Sequence, residues 1–276
     1  MQHRSEERQG WNSSLIKRLA GDLGAAAVSA TLVAPAVTII DRALVEKSAS
    51  NQPLIRGLRK HALAALKHPA RFAFQLPFGI IWALYGVTFT VANGADTISH
   101  ELKAKATGLI TFLSTTLVNV PMGVWKDIRF AQIFGSNATA AGVTRPPLVQ
   151  NRSVARAATA IFLLRDSVTI FGSFTLAPRL SEMIPDDLAS HPHTKPIIAQ
   201  LTVPVLTQLV ATPLHLLGLD LYMRQHQVPL VDRVVQSQRY LASSTVVRCI
   251  RIIPAFGFGC LANIELRSFF QRNFKS

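Results

Sequence analysis

Six long apolar stretches alternate with polar and charged segments along the chain. Each is about as long as a helix that crosses the roughly 30 Å hydrocarbon core of a membrane. A helix on the surface of a soluble protein shows charged side chains on every turn, and these stretches almost lack them. The pattern therefore predicts an all-α membrane protein with six transmembrane helices. The stretches are residues 24–40, 72–93, 108–125, 157–178, 196–219 and 244–263.

The spacing of the stretches alternates between long and short. Their centres lie near residues 32, 83, 117, 168, 208 and 255. Such regularity predicts three helix pairs, each with a long internal loop and joined to the next pair by a short link. We therefore predict a polar N-terminal segment (1–19) and one membrane domain (20–272). Within that domain the predicted two-helix repeats are 20–97, 98–187 and 188–272.

The first helix of each predicted pair contains a proline in a similar sequence. Pro35 follows Leu-Val-Ala, Pro121 follows Leu-Val-Asn-Val, and Pro213 follows Leu-Val-Ala-Thr. A proline inside a membrane helix removes one backbone hydrogen bond and is expected to kink the helix. The three prolines thus support the triplicated unit.

Charge is distributed unevenly between the two kinds of connection. The chain has 29 Lys and Arg against 15 Asp and Glu, a net charge of +14. The long loops (41–70, 126–156 and 218–247) carry an excess of positive charge, whereas the short links are neutral (94–107) or acidic (179–195). Because positive loops lie on one side of a membrane, the charge indicates orientation and contact with anionic lipid, and no nucleic-acid partner is expected. One loop contains a predicted amphipathic surface helix at 55–66.

These features resemble those of the mitochondrial carrier family, in which three repeats form six helices and each odd-numbered helix contains a proline. The stretch FLLRDSVTIFGSF (162–174) is similar to the fourth helix of that family, and RCIRIIPAFGFGCLANIELR (248–267) to its sixth. The family signature places an acid two residues after each proline and a base three residues later. Lys126 matches one base. The other signature positions differ, and they are Val37, Gly123 and His215 for the acids and Ile40 and Gly218 for the bases.

The resemblance implies a divergent carrier in a mitochondrial membrane, with the inner membrane expected and cardiolipin as an expected lipid partner. It places Arg165, Asp166 and Arg251 where carriers contact substrate, and Lys126 as a remnant of the closing salt bridges. Two guanidiniums suit a carboxylate or phosphate held by paired hydrogen bonds. The alternative is that Arg165 and Asp166 pair with each other, or with a neighbouring helix, as internal contacts.

The missing signature acids leave the closing network without its usual partners. Asp41, Asp127 and Asp220 lie further along the same helices and could make substitute contacts.

No sequence motif for a metal, a nucleotide or a catalytic nucleophile occurs, so we expect neither an enzyme nor a cofactor. We therefore predict a transporter of a small anionic metabolite that works by alternating access. The alternative is a membrane scaffold that has lost transport and docks a protein partner.

Overall fold

The computed structural model describes residues 2–50, 53–137, 152–185, 194–223 and 229–273. All regular structure within these ranges is helical. The α-helices are α1 (Gln2–Ser50), α2 (Leu54–Lys67), α3 (Pro69–Ala73), α4 (Leu76–Glu101), α5 (Thr107–Asn137), α6 (Arg152–Ile170), α7 (Ala177–Met183), α8 (Thr194–Met223), α9 (Leu230–Ile252) and α10 (Gly259–Asn273).

Two of the long helices are interrupted by a π-helical segment. Phe171–Leu176 joins α6 to α7, and Ile253–Phe258 joins α9 to α10, so each pair continues without a break. Pro254 lies in the second segment, where its missing N–H removes one α-helical hydrogen bond. Such π-segments are frequent at functional sites. Each π-segment begins directly after a helix that carries charged residues inside a predicted span.

Among the described residues, four helices are long and apolar enough to cross a membrane, namely the spans Ser14–Lys47, Leu76–Glu101, Thr107–Phe134 and Thr202–Met223. They overlap the first, second, third and fifth predicted stretches. The chain is therefore an all-α, multi-pass membrane protein. The stretches 157–178 and 244–263 lie on α6–α7 and α9–α10, and neither is among the four. Six spans in three repeats are thus not shown by the structure.

Helix α1 is the central packing element of the described bundle. It packs most extensively against α4 and α10, while α4 packs against α5, α6 against α8, and α8 against α9. Its buried face is built from small residues, including Ala26, Ala30 and Ala34, all completely buried. Small residues let helices approach closely in a membrane. At the contact with α10, a Cβ on Gly259 would lie 2.5 Å from Cγ2 of Val33, so only glycine fits.

Predicted elements outside the spans are confirmed in part. The amphipathic helix expected at 55–66 is α2, whose buried face is Leu54, Gly57 and His61. Nε2 of His61 lies 2.8 Å from Oε2 of Glu46, and this hydrogen bond holds α2 against the end of α1. The polar segment 1–19 does not form a separate element, because its described part is the beginning of α1. Pro35, Pro121 and Pro213 lie inside α1, α5 and α8 as expected, and the kink at each stays a prediction.

A charged cavity between the helices

Three helices are joined by ion pairs around a buried carboxylate, Asp41 of α1. Nζ of Lys126 on α5 is 2.7 Å from Oδ2 of Asp41. Nη1 of Arg251 on α9 donates to both carboxylate oxygens of Asp41, at 2.8 and 2.9 Å. Asp41 is 4% exposed, so water contributes little to its solvation. Charges removed from water must be paired, and these pairs link α1, α5 and α9.

A second buried carboxylate, Asp127 of α5, extends the network to two more helices. It lies 2.7 Å from Nζ of Lys126 and also accepts a hydrogen bond from Arg165 of α6. Arg165 also donates to Nδ1 of His215 on α8, at 2.8 Å. Because a guanidinium can only donate, His215 accepts through Nδ1 and carries its proton on Nε2. Five helices therefore meet in one network of charged and polar side chains.

The substitute contacts suggested from the sequence are present. Asp41 and Asp127 each follow a helix proline by six residues, whereas the carrier signature would place the acid two residues after it. The third candidate, Asp220, pairs with Arg233 of α9 at 2.8 Å. The repeated Pro-x5-Asp spacing in α1 and α5 was the sequence signal that could have identified the first two acids as paired residues.

A cavity of about 130 Å³ lies against this network. Four basic side chains line it, Lys126, Arg165, Arg248 and Arg251, and the polar residues Tyr85, Asn119, Asp166, Thr169 and Gln208 complete the polar lining. The carboxylates around these cations are Asp41, Asp127 and Asp166. Four cations therefore face three carboxylates, and the cavity holds a surplus of one positive charge.

The predicted substrate-contacting residues Arg165, Asp166 and Arg251 all line this cavity, together with Lys126. The pairing of Arg165 with Asp166 is observed, since Arg165 donates to Oδ1 of Asp166 from Nε at 2.9 Å and from Nη2 at 2.6 Å, and contact of either residue with substrate stays a prediction. Oδ2 of Asp166 is buried and accepts no hydrogen bond from the residues that the structure describes. A Cβ at Gly123 would lie 3.3 Å from this oxygen, so glycine leaves space beside it.

Arg248 lies inside the predicted stretch 244–263, and the sequence analysis does not assign it to the site. It is 5% exposed and lines the cavity. Its Nε donates to Oε1 of Gln208 at 3.2 Å. Within the described ranges it forms no ion pair and no other hydrogen bond. Nothing in the sequence distinguished it from Arg251, because the difference lies in which carboxylates the folded chain brings within reach.

A second polar cluster joins α1, α4 and α10 at the other end of α1. Arg267 donates to Oδ1 of Asp22 and to Oδ2 of Asp96, both at 2.8 Å. Asn93 and Asn263 exchange two hydrogen bonds of 3.0 and 2.8 Å. Two carboxylates on different helices therefore hold this one guanidinium, and the cluster was not predicted.

The two clusters lie at opposite ends of the membrane-spanning part of α1. Asp22 and Asp41 are nineteen residues apart, which corresponds to about 28 Å along a helix axis. That distance is close to the roughly 30 Å thickness of a hydrocarbon core. A substrate crossing the bundle would pass from the level of one cluster to the level of the other.

The four candidate spans found in the described ranges make the chain a multi-pass membrane protein, and the buried, charged cavity lies between its helices. A family model described as "probable citrulline exporter" matches residues 25–271. The chain belongs to this family, and it is therefore a membrane transporter of a small metabolite. No curated protein and no solved structure gives a significant match.

The resemblance to mitochondrial carriers is wrong, because the family that matches is a different one. Prolines in long apolar helices and an Arg-Asp pair are general features of polytopic membrane proteins, so they carried less information than the spacing suggested. The signature acids were the discriminating positions, and Val37, Gly123 and His215 occupy them. The mitochondrial inner membrane and cardiolipin were inferred from that resemblance, and both stay predictions without structural support.

Proposed function

We propose that the protein exports citrulline, or a closely related small amino acid, by alternating access of the charged cavity. The observation that carries the proposal is the surplus positive charge in a buried cavity enclosed by five helices. The family description names citrulline, whose carboxylate, ammonium and ureido groups are all polar. A buried polar cavity replaces the water that such a solute loses on entering a membrane.

The proposed pathway requires that α6–α7 and α9–α10 also span the membrane. Each is continuous through its π-segment, and at 1.5 Å per residue each exceeds the roughly 30 Å of a hydrocarbon core. Their charged residues Arg165, Asp166, Arg248 and Arg251 face the cavity. Charges kept inside membrane segments usually face the bundle interior. Six spans are therefore part of the proposal.

The ion pairs of Asp41 and Asp127 act in this proposal as the closure of one end of the pathway. Lys126 links α1 to α5, and Arg165 links α5 to α6. Separating these helices requires breaking buried ion pairs, which is costly unless the released charges find other partners. A bound zwitterion supplies such partners, so substrate binding and opening are coupled through the same residues.

The cavity offers a complementary group to each charged end of an amino acid. Its surplus positive charge suits a carboxylate, and the unpaired Oδ2 of Asp166 suits an ammonium group. Arg165 and Arg251 are held by Asp127, Asp166 and Asp41 in the closed arrangement. They become available to substrate when those pairs open.

Transport by purified protein in liposomes tests the proposal. Vesicles loaded with unlabelled L-citrulline should accumulate radiolabelled L-citrulline by exchange, and Asp166→Asn should reduce the rate at least tenfold because an ammonium–carboxylate contact is lost. Asp232→Asn, which removes an exposed carboxylate at the start of α9, is the matched control. If the wild-type protein exchanges neither citrulline nor other small amino acids, the proposed function is wrong.

The scaffold hypothesis depended on the missing signature charges. Asp41 and Asp127 supply the buried acids by a different spacing, and their pairs with Lys126, Arg165 and Arg251 link five helices together with His215. That reason for expecting a transport-inactive protein therefore no longer applies. Within the described part of the chain, no observation favours a docking role over transport.

A further inference from the structure

We infer that Arg248, positioned by Gln208, is the receptor for the carboxylate group of the transported substrate. The inference rests on the proposed function and assigns recognition of one charged group of the substrate to a particular pair of residues. Neither residue was assigned to the substrate site from the sequence, and the family description assigns no residue.

The other cations of the cavity already have carboxylates. Lys126 contacts Asp41 and Asp127, each at 2.7 Å. Arg165 pairs with Asp127 and Asp166, and Arg251 pairs with Asp41. Arg248 has no carboxylate within 4.0 Å among the described residues, and its terminal nitrogens donate no hydrogen bond there. The surplus charge of the cavity is therefore located on Arg248.

Gln208 explains how a buried guanidinium is held without being neutralised. Its Nε2 donates to the backbone oxygen of Pro204 at 3.3 Å, which turns Oε1 towards Nε of Arg248. Both side chains are 5% exposed. A neutral amide fixes the orientation of Arg248 and leaves its full charge, whereas a glutamate in the same place would form an internal ion pair.

The geometry of the contact leaves the outer side of the guanidinium available. Gln208 accepts a hydrogen bond from Nε of Arg248, so the two terminal nitrogens of the guanidinium remain for a ligand. An arginine presents its donors in a planar fork that matches the two oxygens of a carboxylate. A buried cation without a partner is costly, so a ligand carboxylate that completes the pair gains much of its affinity from this single contact.

The decisive variant is Gln208→Glu, which gives Arg248 an internal carboxylate without changing the size of the side chain. We expect exchange of radiolabelled L-citrulline in liposomes to require roughly 10- to 100-fold more substrate, the factor expected for losing a charged hydrogen bond. The thermal stability of the purified variant should be equal to or above that of the wild type, because a buried charge gains a partner. Gln238→Glu, at an exposed position on α9, is the matched control.

Selectivity separates recognition of the carboxylate from a merely structural role of Gln208. Citrulline amide keeps the ammonium and ureido groups but lacks the carboxylate. We expect its affinity relative to citrulline, measured by competition, to rise in Gln208→Glu. A general loss of packing would weaken the binding of both compounds by the same factor, and that result would overturn the inference.

A second variant covers the case in which Gln208→Glu does not fold. Arg248→Gln should weaken the binding of citrulline by a similar factor and leave the binding of citrulline amide nearly unchanged. Arg156→Gln, on the exposed part of α6, is the control for this variant. Unchanged citrulline affinity in Arg248→Gln overturns the inference. If the wild-type protein transports no amino acid, the proposed function fails. If the wild type transports citrulline and Arg248→Gln binds it equally well, only the inference about Arg248 fails.

Discussion

Replacing Asp41 by asparagine tests whether the buried ion pairs hold the bundle closed. The substitution keeps the shape of the side chain and removes the charge that pairs with Lys126 and Arg251. Lys126 retains Asp127 as a partner, 2.7 Å away. Arg251 loses the only carboxylate within ion-pair distance in the described part of the chain. The main cost is therefore an unpaired guanidinium on α9.

The size of this cost follows from burial. Removing one partner of a fully buried pair typically costs about 3–5 kcal/mol. The side chain of Asp41 is 5% exposed, whereas that of Arg251 is 24% exposed and keeps some access to water. We therefore expect about 3 kcal/mol for Asp41→Asn. For a chain of this size such a loss corresponds to roughly 6–12 °C in Tm.

Thermal unfolding of the detergent-purified protein measures the effect, with Asp232→Asn as an exposed control. A double-mutant cycle gives the specific test. If the cost comes from the unpaired Arg251, then Arg251→Gln should cost much less in the Asp41→Asn background than in the wild type. Strictly additive losses, or a Tm equal to that of the wild type, would refute the reasoning and leave the Asp41 network without a role in closure.

Three further substitutions address the packing and the second cluster. Gly259→Ala places a methyl group 2.5 Å from Val33 and should cost about 1–3 kcal/mol in thermal unfolding, whereas Gly79→Ala, which meets open space, should not. Asn263→Leu leaves Asn93 without its amide partner and should lower Tm by a few degrees, since an interhelical hydrogen bond in a membrane contributes about 0.6–2 kcal/mol. His61→Ala should detach α2 and speed its cleavage by trypsin, and unchanged cleavage would contradict the role given to the Glu46 contact.

The helical architecture was largely predictable because it depends on local sequence. Long apolar stretches with few charges must form helices in a bilayer, and four of the six predicted spans meet the same criteria in the structure. The remaining two stretches are divided in the structure by the π-helical segments Phe171–Leu176 and Ile253–Phe258, so neither α6 nor α9 by itself contains the whole apolar stretch. These interruptions depend on the folded backbone, and the pattern of apolar residues does not show them.

The partners of each charge were not predictable, because they are brought together from distant parts of the chain. Asp41 and Arg251 are separated by 210 positions, and Asp22 and Arg267 by 245. The sequence shows that Arg165, Arg248 and Arg251 are unusual in an apolar stretch, but it does not show which of them is neutralised. Only the fold distinguishes a guanidinium that closes the bundle from one that faces the cavity with its charge unpaired.

The two clusters on α1 connect different sets of helices, so in the proposed alternating-access cycle only one of them has to open. The Asp22 cluster joins α1 to α4 and α10, which also pack closely through small residues such as Gly259. The Asp41 network joins α1 to α5 and α9, and through Asp127 to α6 and α8. Opening the cavity at the Asp41 end therefore requires breaking the pairs of Lys126 and Arg251, while the Asp22 cluster can stay intact. We expect α10, α1 and α4 to move together as one group.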